Sequence, residues 1–253
     1  MATGESRGVL VTGGSRGIGR AIARAFAERG DRVAVHWGTS RERAERVLAE
    51  LPGTGHVLVQ ADMADAEAVG AMVDAAAAEL GRLDVLVNNA GVFTAHPPLT
   101  TSYEQWQESW SRTLAVNLVG AANATFRAVP HLITAGGGAV VNVSSRGAFR
   151  GEPNNPAYGA SKAGMNAFAQ SMALALAPQN ISVTCVAPGF VQTEMAREVL
   201  DGPGGNAVRA QSPFGRVARP EEVASAVVWL ASPEARFSTG TIVDVNGASY
   251  LRS

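Results

Sequence analysis

Seven short apolar runs, most of them built from β-branched residues, alternate with longer amphipathic stretches along nearly the whole chain. Runs this short and this continuously apolar indicate strands covered on both faces, as in a parallel sheet. The pattern therefore predicts right-handed βαβ units in a doubly wound α/β fold with helices on both faces of a seven-stranded, mainly parallel sheet. The predicted strands are Val9–Val11, Val33–Val35, Val57–Val59, Val85–Val87, Val140–Val143, Val183–Val186 and Thr241–Val243. Predicted helices include Arg20–Arg29, Arg41–Leu51 and Ala66–Leu80.

The size and composition of the chain predict one globular domain over residues 1–253. It is 46% hydrophobic and 17% charged, with a formal net charge of −1, which excludes disorder and a basic surface for nucleic acid. No apolar run approaches the ~20 residues of a membrane span. Residues Met1 to Val11 do not resemble a signal peptide, and a single cysteine, Cys185, excludes an internal disulfide. We therefore expect a cytoplasmic protein with no membrane partner.

A glycine-rich segment joins the first predicted strand to the helix that follows. It reads Thr12-Gly13-Gly14-Ser15-Arg16-Gly17-Ile18-Gly19. Glycines allow a tight turn and a close approach of the backbone to phosphate, and the helix N-terminus offers free N–H groups to it. Because the segment lies between a strand and a helix, it predicts a dinucleotide site. The alternative is an ordinary tight turn.

The end of the second predicted strand indicates which dinucleotide is bound. An acidic residue here is typical of proteins that hold the free ribose hydroxyls of NAD, but the sequence reads His36-Trp37-Gly38-Thr39-Ser40-Arg41. Arg16, Ser40 and Arg41 are instead suited to a 2′-phosphate, which predicts NADP(H) rather than NAD(H). The alternative is that Arg41 belongs to the solvated face of the next helix.

Tyr158 and Lys162 stand four residues apart in a long helical stretch and so share one helix face. Lys162 is the one lysine among 21 basic residues. An ammonium favours the phenolate of a nearby tyrosine and lowers its pKa, so that the pair predicts a general acid/base. Such a pair taken alone is more often structural. The histidines His36, His56, His96 and His131 show no metal-ligand spacing, and no metal is expected.

Taken together, these motifs resemble the short-chain dehydrogenase/reductase family. Gly13-x3-Gly17-x-Gly19 is similar to its cofactor loop, and Asn88-Asn89-Ala90-Gly91 to its motif after the fourth strand. Pro188-Gly189-x-Val191-x-Thr193 is similar to the segment that holds the nicotinamide carboxamide. The resemblance runs from about Gly8 to Gly247 and implies a single Rossmann-like domain. In order and spacing, the family's catalytic tetrad corresponds to Asn117, Ser145, Tyr158 and Lys162.

The resemblance implies a role for each tetrad residue. Tyr158 would protonate the carbonyl oxygen, and Ser145, with Ser144 as the competing assignment, would hydrogen-bond that oxygen. Lys162 would hold the ribose hydroxyls and act electrostatically on Tyr158. Asn117, placed within a helix over 113–129, would hold a water that links Lys162 to solvent, unless it bonds locally in its helix.

The resemblance also implies the cofactor contacts. Asp62 would accept a hydrogen bond from the adenine amino group, unless it caps the helix before Ala64. The full set of expected cofactor-binding residues is Gly13, Ser15, Arg16, Gly17, Ile18, Gly19, Ser40, Arg41, Asp62, Met63, Asn89, Ala90, Gly91, Tyr158, Lys162, Pro188, Gly189, Val191 and Thr193.

The implied activity is reduction of a ketone to a secondary alcohol by NADPH, most similar to bacterial 3-oxoacyl thioester reductases. Segments 135–138 and 177–180 lack the basic residues with which such enzymes hold a carrier protein. We expect specificity to reside in a loop over about 194–215 and in residues such as Phe149 and Glu152. The alternatives are an NAD(H)-dependent alcohol or polyol dehydrogenase and a non-catalytic NADP-binding sensor. A homotetramer or homodimer, paired through the helices over 113–129 and 157–177, is implied.

Overall fold

A single seven-stranded sheet forms the centre of the computed structural model, which describes residues 6–252. All of its strand pairs are parallel, and the strand order is β3-β2-β1-β4-β5-β6-β7. The strands are β1 (Gly8–Val11), β2 (Arg32–Trp37), β3 (Val57–Gln60), β4 (Val85–Asn88), β5 (Gly138–Val143), β6 (Ile181–Pro188) and β7 (Ile242–Val245). The predicted doubly wound α/β fold and its seven strands are confirmed.

Nine α-helices occur within the part of the chain that the structure describes. They are α1 (Gly17–Ala27), α2 (Arg41–Glu50), α3 (Ala66–Leu80), α4 (Tyr103–Leu114), α5 (Gly120–Thr134), α6 (Pro156–Leu176), α7 (Glu194–Asp201), α8 (Gly205–Arg209) and α9 (Pro220–Leu230). Buried residues of α3, α5 and α6 form one hydrophobic cluster with one face of the sheet. Residues of α1, α2 and α9 form a second cluster with the opposite face. Strand residues point alternately to these two clusters, which explains why the strands are apolar throughout.

One expected loop and two helices differ from the sequence predictions. The segment over about 194–215, expected as a loop, contains helices α7 and α8. Helix α1 begins at Gly17 rather than at Arg20, because the last two loop glycines already form its first turn. The helix expected over 113–129 is instead α4 and α5 joined by a π-helical turn, Ala115–Val119. The backbone stays helical on both sides of this turn, so no proline or loop segment in the sequence marks where α4 ends and α5 begins.

The strand order reverses direction between β1 and β4, which lie side by side at the middle of the sheet. The loops that follow these two strands diverge to opposite faces and open a crevice at their carboxyl ends. The glycine-rich segment follows β1, and the Asn-Asn-Ala-Gly segment follows β4. The topology thus brings both motifs to one site. Within residues 6–252, no helix is long and apolar enough to cross a membrane.

Candidate active site

A cavity of about 520 Å³ lies in this crevice. Its lining extends from the segments after β1, β2 and β3 to those after β4, β5 and β6 and to helices α6 and α7. Nearly every residue expected to bind the cofactor or substrate lines it. These residues are Gly13, Ser15, Arg16, Gly17, Ile18, Gly19, Ser40, Asp62, Met63, Asn89, Ala90, Gly91, Ser145, Tyr158, Lys162, Pro188, Gly189, Val191 and Thr193. Of the predicted set, Arg41 and Asn117 do not line the cavity.

The glycines of the segment after β1 are required by the geometry of the loop. Gly13 and Gly17 have φ angles of 64° and 53°, in the left-handed region. A Cβ on Gly13 would approach Ala90 Cα to 2.9 Å, and one on Gly19 would overlap the carbonyl oxygen of Gly13. The first turn of α1 contains no acidic residue and receives no side-chain cap, so its N–H groups remain free for an anion. This cradle fits the pyrophosphate of a dinucleotide.

Hydrogen bonds between β1 and β4 hold the cradle in place. The backbone N–H groups of Asn89 and Ala90 donate to Thr12 Oγ1 at 2.9 and 3.0 Å. The Asn89 amide donates to the carbonyl oxygens of Thr12 and Gly13 at 2.9 and 3.1 Å. The side chain of Asn89 therefore positions the loop as well as lining the cavity.

His36, at the end of β2, supports the same loop from the other side. The Gly13 N–H donates to His36 Nδ1 at 2.9 Å, so the neutral ring carries its hydrogen on Nε2, which donates to the Ala61 carbonyl at 3.1 Å. Burial lowers the pKa of His36, consistent with a neutral ring. From the sequence, His36 showed no metal-ligand spacing and was given no role of its own. Its position at the carboxyl end of β2 was the available signal for this other role.

The arginine that reaches the cavity from α2 is Arg43 rather than the expected Arg41. The Arg41 guanidinium pairs with Glu45 on the exposed face of α2, at 2.8 Å. Arg43 lines the cavity, and its Nη1 donates to Glu194 Oε2 at 3.1 Å. Ser40 caps α2 by accepting from the Arg43 N–H at 3.4 Å, and this places the first turn of the helix beside the cavity. The alternative interpretation of Arg41, as part of a solvated helix face, describes its position in the structure.

The sequence left two roles open for Asp62, a contact to the adenine amino group or a cap of the following helix, and its position is compatible with features of both. It lines the cavity, and its Oδ1 accepts from the Ala64 N–H at 3.0 Å. The residue that caps α3 is nevertheless Asp65. Arg112 donates to Asp62 Oδ2 at 3.0 Å and lowers the pKa of that carboxyl, which therefore carries a full negative charge.

Ser145, Tyr158 and Lys162 converge on the cavity from β5 and α6. Ser145 follows β5, and its Oγ accepts from the Gly147 N–H at 3.0 Å. Ser144, the competing assignment, is buried and donates to the Lys162 carbonyl at 3.3 Å. The edge of Phe93 packs on the Tyr158 ring, with 4.8 Å between the ring centroids.

The pKa shifts of Tyr158 and Lys162 have burial as their main cause. Burial raises the pKa of Tyr158, and a hydrogen bond with Ser145 partly opposes this rise. Burial lowers the pKa of Lys162 to about 8. Lys162 Nζ donates to the Val143 carbonyl at 2.7 Å and lies 5.8 Å from the centre of the Tyr158 ring. The expected net lowering of the Tyr158 pKa is therefore not seen in this arrangement, because burial is the largest cause of its shift and acts upward.

Asn117 lies behind the cavity wall, in the π-helical turn. Its Oδ1 accepts from the Val92 N–H at 2.8 Å, while its Nδ2 donates to the Val92 carbonyl at 3.0 Å and to Ser161 Oγ at 3.2 Å. The side chain is fully buried. Asn117 thus joins the segment after β4 to helix α6, one residue before Lys162.

The part of the cavity beyond Tyr158 is mainly apolar. Phe190 and Met195 line it, together with Glu152, which was expected to contribute to specificity. Phe149 does not; its ring lies under the Arg252 guanidinium, 4.2 Å from ring centre to Cζ. Arg146, which sequence analysis missed, also lines this region. Within residues 6–252, no three His, Cys, Asp or Glu side chains are grouped so that they could hold a metal ion.

Comparison with known proteins gives the family. A family model described as Enoyl-(Acyl carrier protein) reductase matches residues 13–248. The chain belongs to the short-chain dehydrogenase/reductase family. As a short-chain dehydrogenase/reductase it is an oxidoreductase of a family that binds a nicotinamide cofactor.

Individual relatives cover nearly the full chain. The 3-oxoacyl-acyl-carrier-protein reductase FabG of Staphylococcus aureus is 36% identical over 97% of this chain and 99% of its own. The cis-4-hydroxycyclohexanecarboxylate dehydrogenase of Sinomonas cyclohexanicum is 41% identical over 95% of each chain. A solved short-chain dehydrogenase from Burkholderia cenocepacia in complex with NADP has a TM-score of 0.87 and 36% identity, over 96% of this chain and 97% of its own.

Proposed function

We propose that this protein is an NADPH-dependent carbonyl reductase that converts a ketone to a secondary alcohol, with Tyr158 as the proton donor. The observation that carries the proposal is the convergence of Ser145, Tyr158 and Lys162 on a cavity that also contains the glycine cradle. A non-catalytic sensor would have no need of a buried proton donor beside its cofactor. We propose further that residues 1–253 act as a single reductase domain.

The protein's own residues account for the proton transfer. When bound, the cofactor supplies a hydride to the carbonyl carbon. Tyr158, whose raised pKa keeps it protonated at neutral pH, donates its proton to the carbonyl oxygen. The Ser145 hydroxyl hydrogen-bonds the same oxygen and orients the substrate. Lys162 is charged below pH about 8 and stabilises the phenolate that remains.

The cavity lining explains how the chain would hold the cofactor. The cradle would receive the pyrophosphate, Lys162 the ribose hydroxyls, and Thr193 the carboxamide. Asn117 would hold a water that links Lys162 to solvent, since it already fixes the segment that lies beside the Lys162 ammonium. Asp62 would accept from the adenine amino group.

A preference for NADP(H) is supported by the charges around the end of β2. Arg16, Ser40 and Arg43 line the cavity there, and β2 ends without an acidic residue that would repel a 2′-phosphate. The similar Burkholderia cenocepacia structure was solved with NADP.

Two neighbouring arginines provide a matched test of this preference. We expect Arg43→Ala to raise the KM for NADPH about tenfold to a hundredfold and to leave the KM for NADH nearly unchanged, because a charged contact to the phosphate is lost. Arg41→Ala, which removes the same charge two residues away on an exposed face, should change neither value by more than about twofold. Equal effects of the two substitutions would contradict the assignment of Arg43.

The substrate that we propose is a small free ketone rather than a carrier-bound one. Segments 135–138 and 177–180 contain no basic residue for an acidic carrier protein. The relative from Sinomonas cyclohexanicum is named for a cyclic hydroxy acid, and a relative from Mycolicibacterium smegmatis, 38% identical, is named D-threitol dehydrogenase. The second candidate function is therefore oxidation of a secondary alcohol or polyol at the same site.

Initial rates of NADPH consumption test the proposal. The panel consists of an acetoacetyl thioester, an aryl ketone and 4-oxocyclohexanecarboxylate. Turnover of a free ketone with NADPH supports the proposed function. Turnover of the thioester alone would instead assign the protein to 3-oxoacyl thioester reduction. Activity confined to NAD⁺ with an alcohol or polyol would replace it with the second candidate.

We also propose that the enzyme assembles as a homotetramer, or as a homodimer, in the cytoplasm. Phe126 on α5 and Leu174 on α6 are large apolar side chains that are 77% and 82% exposed. Side chains of this kind on long helices suit a helix-to-helix interface between copies. Cys185 is a buried free thiol, as is common in a reducing compartment.

A further inference from the structure

Arg146 is a buried cation in the wall of the substrate side of the cavity. It directly follows Ser145, in a short 3-10 turn, and only 4% of its surface is exposed. It lines the same cavity as Tyr158, and its guanidinium lies 5.4 Å from the centre of the Phe190 ring. Burying a charge in this way is costly unless the charge is paired.

Half of the Arg146 guanidinium has no hydrogen-bond acceptor among residues 6–252. Nη1 donates to Gln211 Oε1 at 2.8 Å and to Ser249 Oγ at 2.7 Å, both of which are neutral acceptors. Nε and Nη2 donate to no residue between 6 and 252. Neither atom is completely buried by the described residues, so both remain accessible to a ligand. No carboxylate in this part of the chain lies within ion-pair distance of them.

Two half-buried arginines of the described chain, Arg7 and Arg82, are bonded differently. Arg7 makes two hydrogen bonds to the carboxylate of Asp31, at 3.0 and 2.7 Å. Arg82 makes two to the carboxylate of Asp84, at 2.8 and 2.6 Å. In both, Nε and Nη2 form the edge that grips the two oxygens. The same edge of Arg146 is the one left without an acceptor, and Arg146 as a whole residue is more deeply buried than either.

The surroundings favour an organic acid as the missing partner. Phe190, Met195 and Val199 give this region apolar walls, which suit a small carbon skeleton. Arg146 also borders a second pocket of about 210 Å³, but the carboxylates of that pocket, Glu222 and Asp244, are already paired with arginines. The first cavity is the one that Arg146 lines together with Tyr158.

We propose that Arg146 binds the carboxylate of the substrate through its Nε–Nη2 edge, so that the preferred substrates are ketones that carry a carboxylate group apart from the reacting carbonyl. The inference rests on the proposed carbonyl reductase function. Gln211 and Ser249 hold the guanidinium in place from Nη1, and the planar edge forms two parallel hydrogen bonds to the acid. Arg146 thereby determines specificity and takes no part in proton transfer.

Glu152 opposes this preference for a carboxylate, so a substitution of Glu152 provides a second test of it. It lines the same cavity, and burial raises the pKa of its carboxyl while Arg146 and Arg150 lower it. Its negative charge near the bound acid weakens binding. Glu152→Gln should therefore increase the preference for a carboxylate substrate.

The test compares 4-oxocyclohexanecarboxylate with its neutral amide, which has nearly the same shape. With NADPH, the wild-type enzyme should show a kcat/KM about tenfold to a hundredfold higher for the carboxylate. Arg146→Met should abolish that preference by lowering kcat/KM for the carboxylate to the value for the amide, and Arg146→Lys should restore part of it. Arg150→Met, which removes an exposed charge nearby, is the matched control and should retain the preference.

Several outcomes would overturn the inference. One is an equal kcat/KM for the amide and the acid in the wild-type enzyme. This outcome is seen without making any variant. Another is an equal loss for both substrates in Arg146→Met, which would assign the residue to support of the loop. If neither ketone were reduced, the proposed function would fail for this class. Calorimetry of cyclohexanecarboxylate and cyclohexanecarboxamide with NADP⁺-loaded protein would still decide the role of Arg146, since only the acid should bind.

Discussion

Lys162 connects the electrostatics of the site to a measurable pH dependence. Burial lowers its pKa to about 8 from 10.5, so that the ammonium is present below pH 8 and is lost above it. A neutral amine no longer stabilises the Tyr158 phenolate formed when the proton is transferred. The lysine is nevertheless charged in most molecules at neutral pH, where the proposed reaction would run.

We therefore expect kcat/KM for ketone reduction by NADPH to fall above pH about 8, as the free enzyme loses the Lys162 proton. In Lys162→Arg, whose guanidinium stays charged, the rate should be lower and the decline near pH 8 should disappear. A decline that persists unchanged in this variant would assign the titration to another group.

His36 shows how one side chain joins three elements around the cofactor cradle. It stands at the end of β2, accepts from the loop after β1 and donates to the segment after β3. Protonation of Nδ1 would remove the acceptor for the Gly13 N–H and leave a buried charge. Loop geometry and the protonation state of the ring are therefore linked.

The pH dependence of stability follows from this link. The folded protein lowers the pKa of His36 below 6.5, whereas the unfolded chain binds the proton near that value. The stabilisation is therefore complete above pH 6.5 and is lost as the pH falls below it toward the folded pKa. The amide oxygen of Asn can accept from the Gly13 N–H and does not titrate. We therefore expect the melting temperature of His36→Asn to fall less than that of the wild type between pH about 7 and about 5.

His131→Gln serves as the control, because His131 is a partly exposed histidine that pairs with Asp74 on the surface. This variant should retain the acid-dependent loss of the wild type. If His36→Asn also retained it, the loss would arise elsewhere in the protein.

Most elements of the fold could be predicted from the sequence, because the apolar strand runs and the glycine loop are local signals. Features that depend on tertiary contacts could not be predicted. Arg41 and Arg43 both lie in the first turn of α2 and are equally suited to an exposed helix. Only the orientation of α2 against the sheet decides which of the two side chains reaches the cavity. The role of His36 depends on the packing of β1, β2 and β3, and the unpaired state of Arg146 on residues more than 60 positions away.

The exposed apolar side chains of α5 and α6 carry the proposed assembly of the whole molecule. We expect the wild-type protein to sediment as a tetramer or dimer. Phe126→Glu combined with Leu174→Glu should give a monomer, since two charges would be buried in the interface. Phe237→Glu, which changes a fully exposed side chain in the 3-10 turn Pro233–Ser238, is the comparison. A monomeric wild type, or a double variant with unchanged mass, would contradict the proposed interface.

The proposed function itself depends on one hydroxyl group. Tyr158→Phe removes the proton donor and keeps the ring that packs against Phe93. The decisive measurement is the initial rate of NADPH consumption by this variant and by the wild type with the best ketone of the panel, together with the dissociation constant of NADPH. We predict a loss of about 10²–10⁴ in kcat with an unchanged dissociation constant. A variant that keeps its rate within about tenfold would contradict Tyr158 as the proton donor.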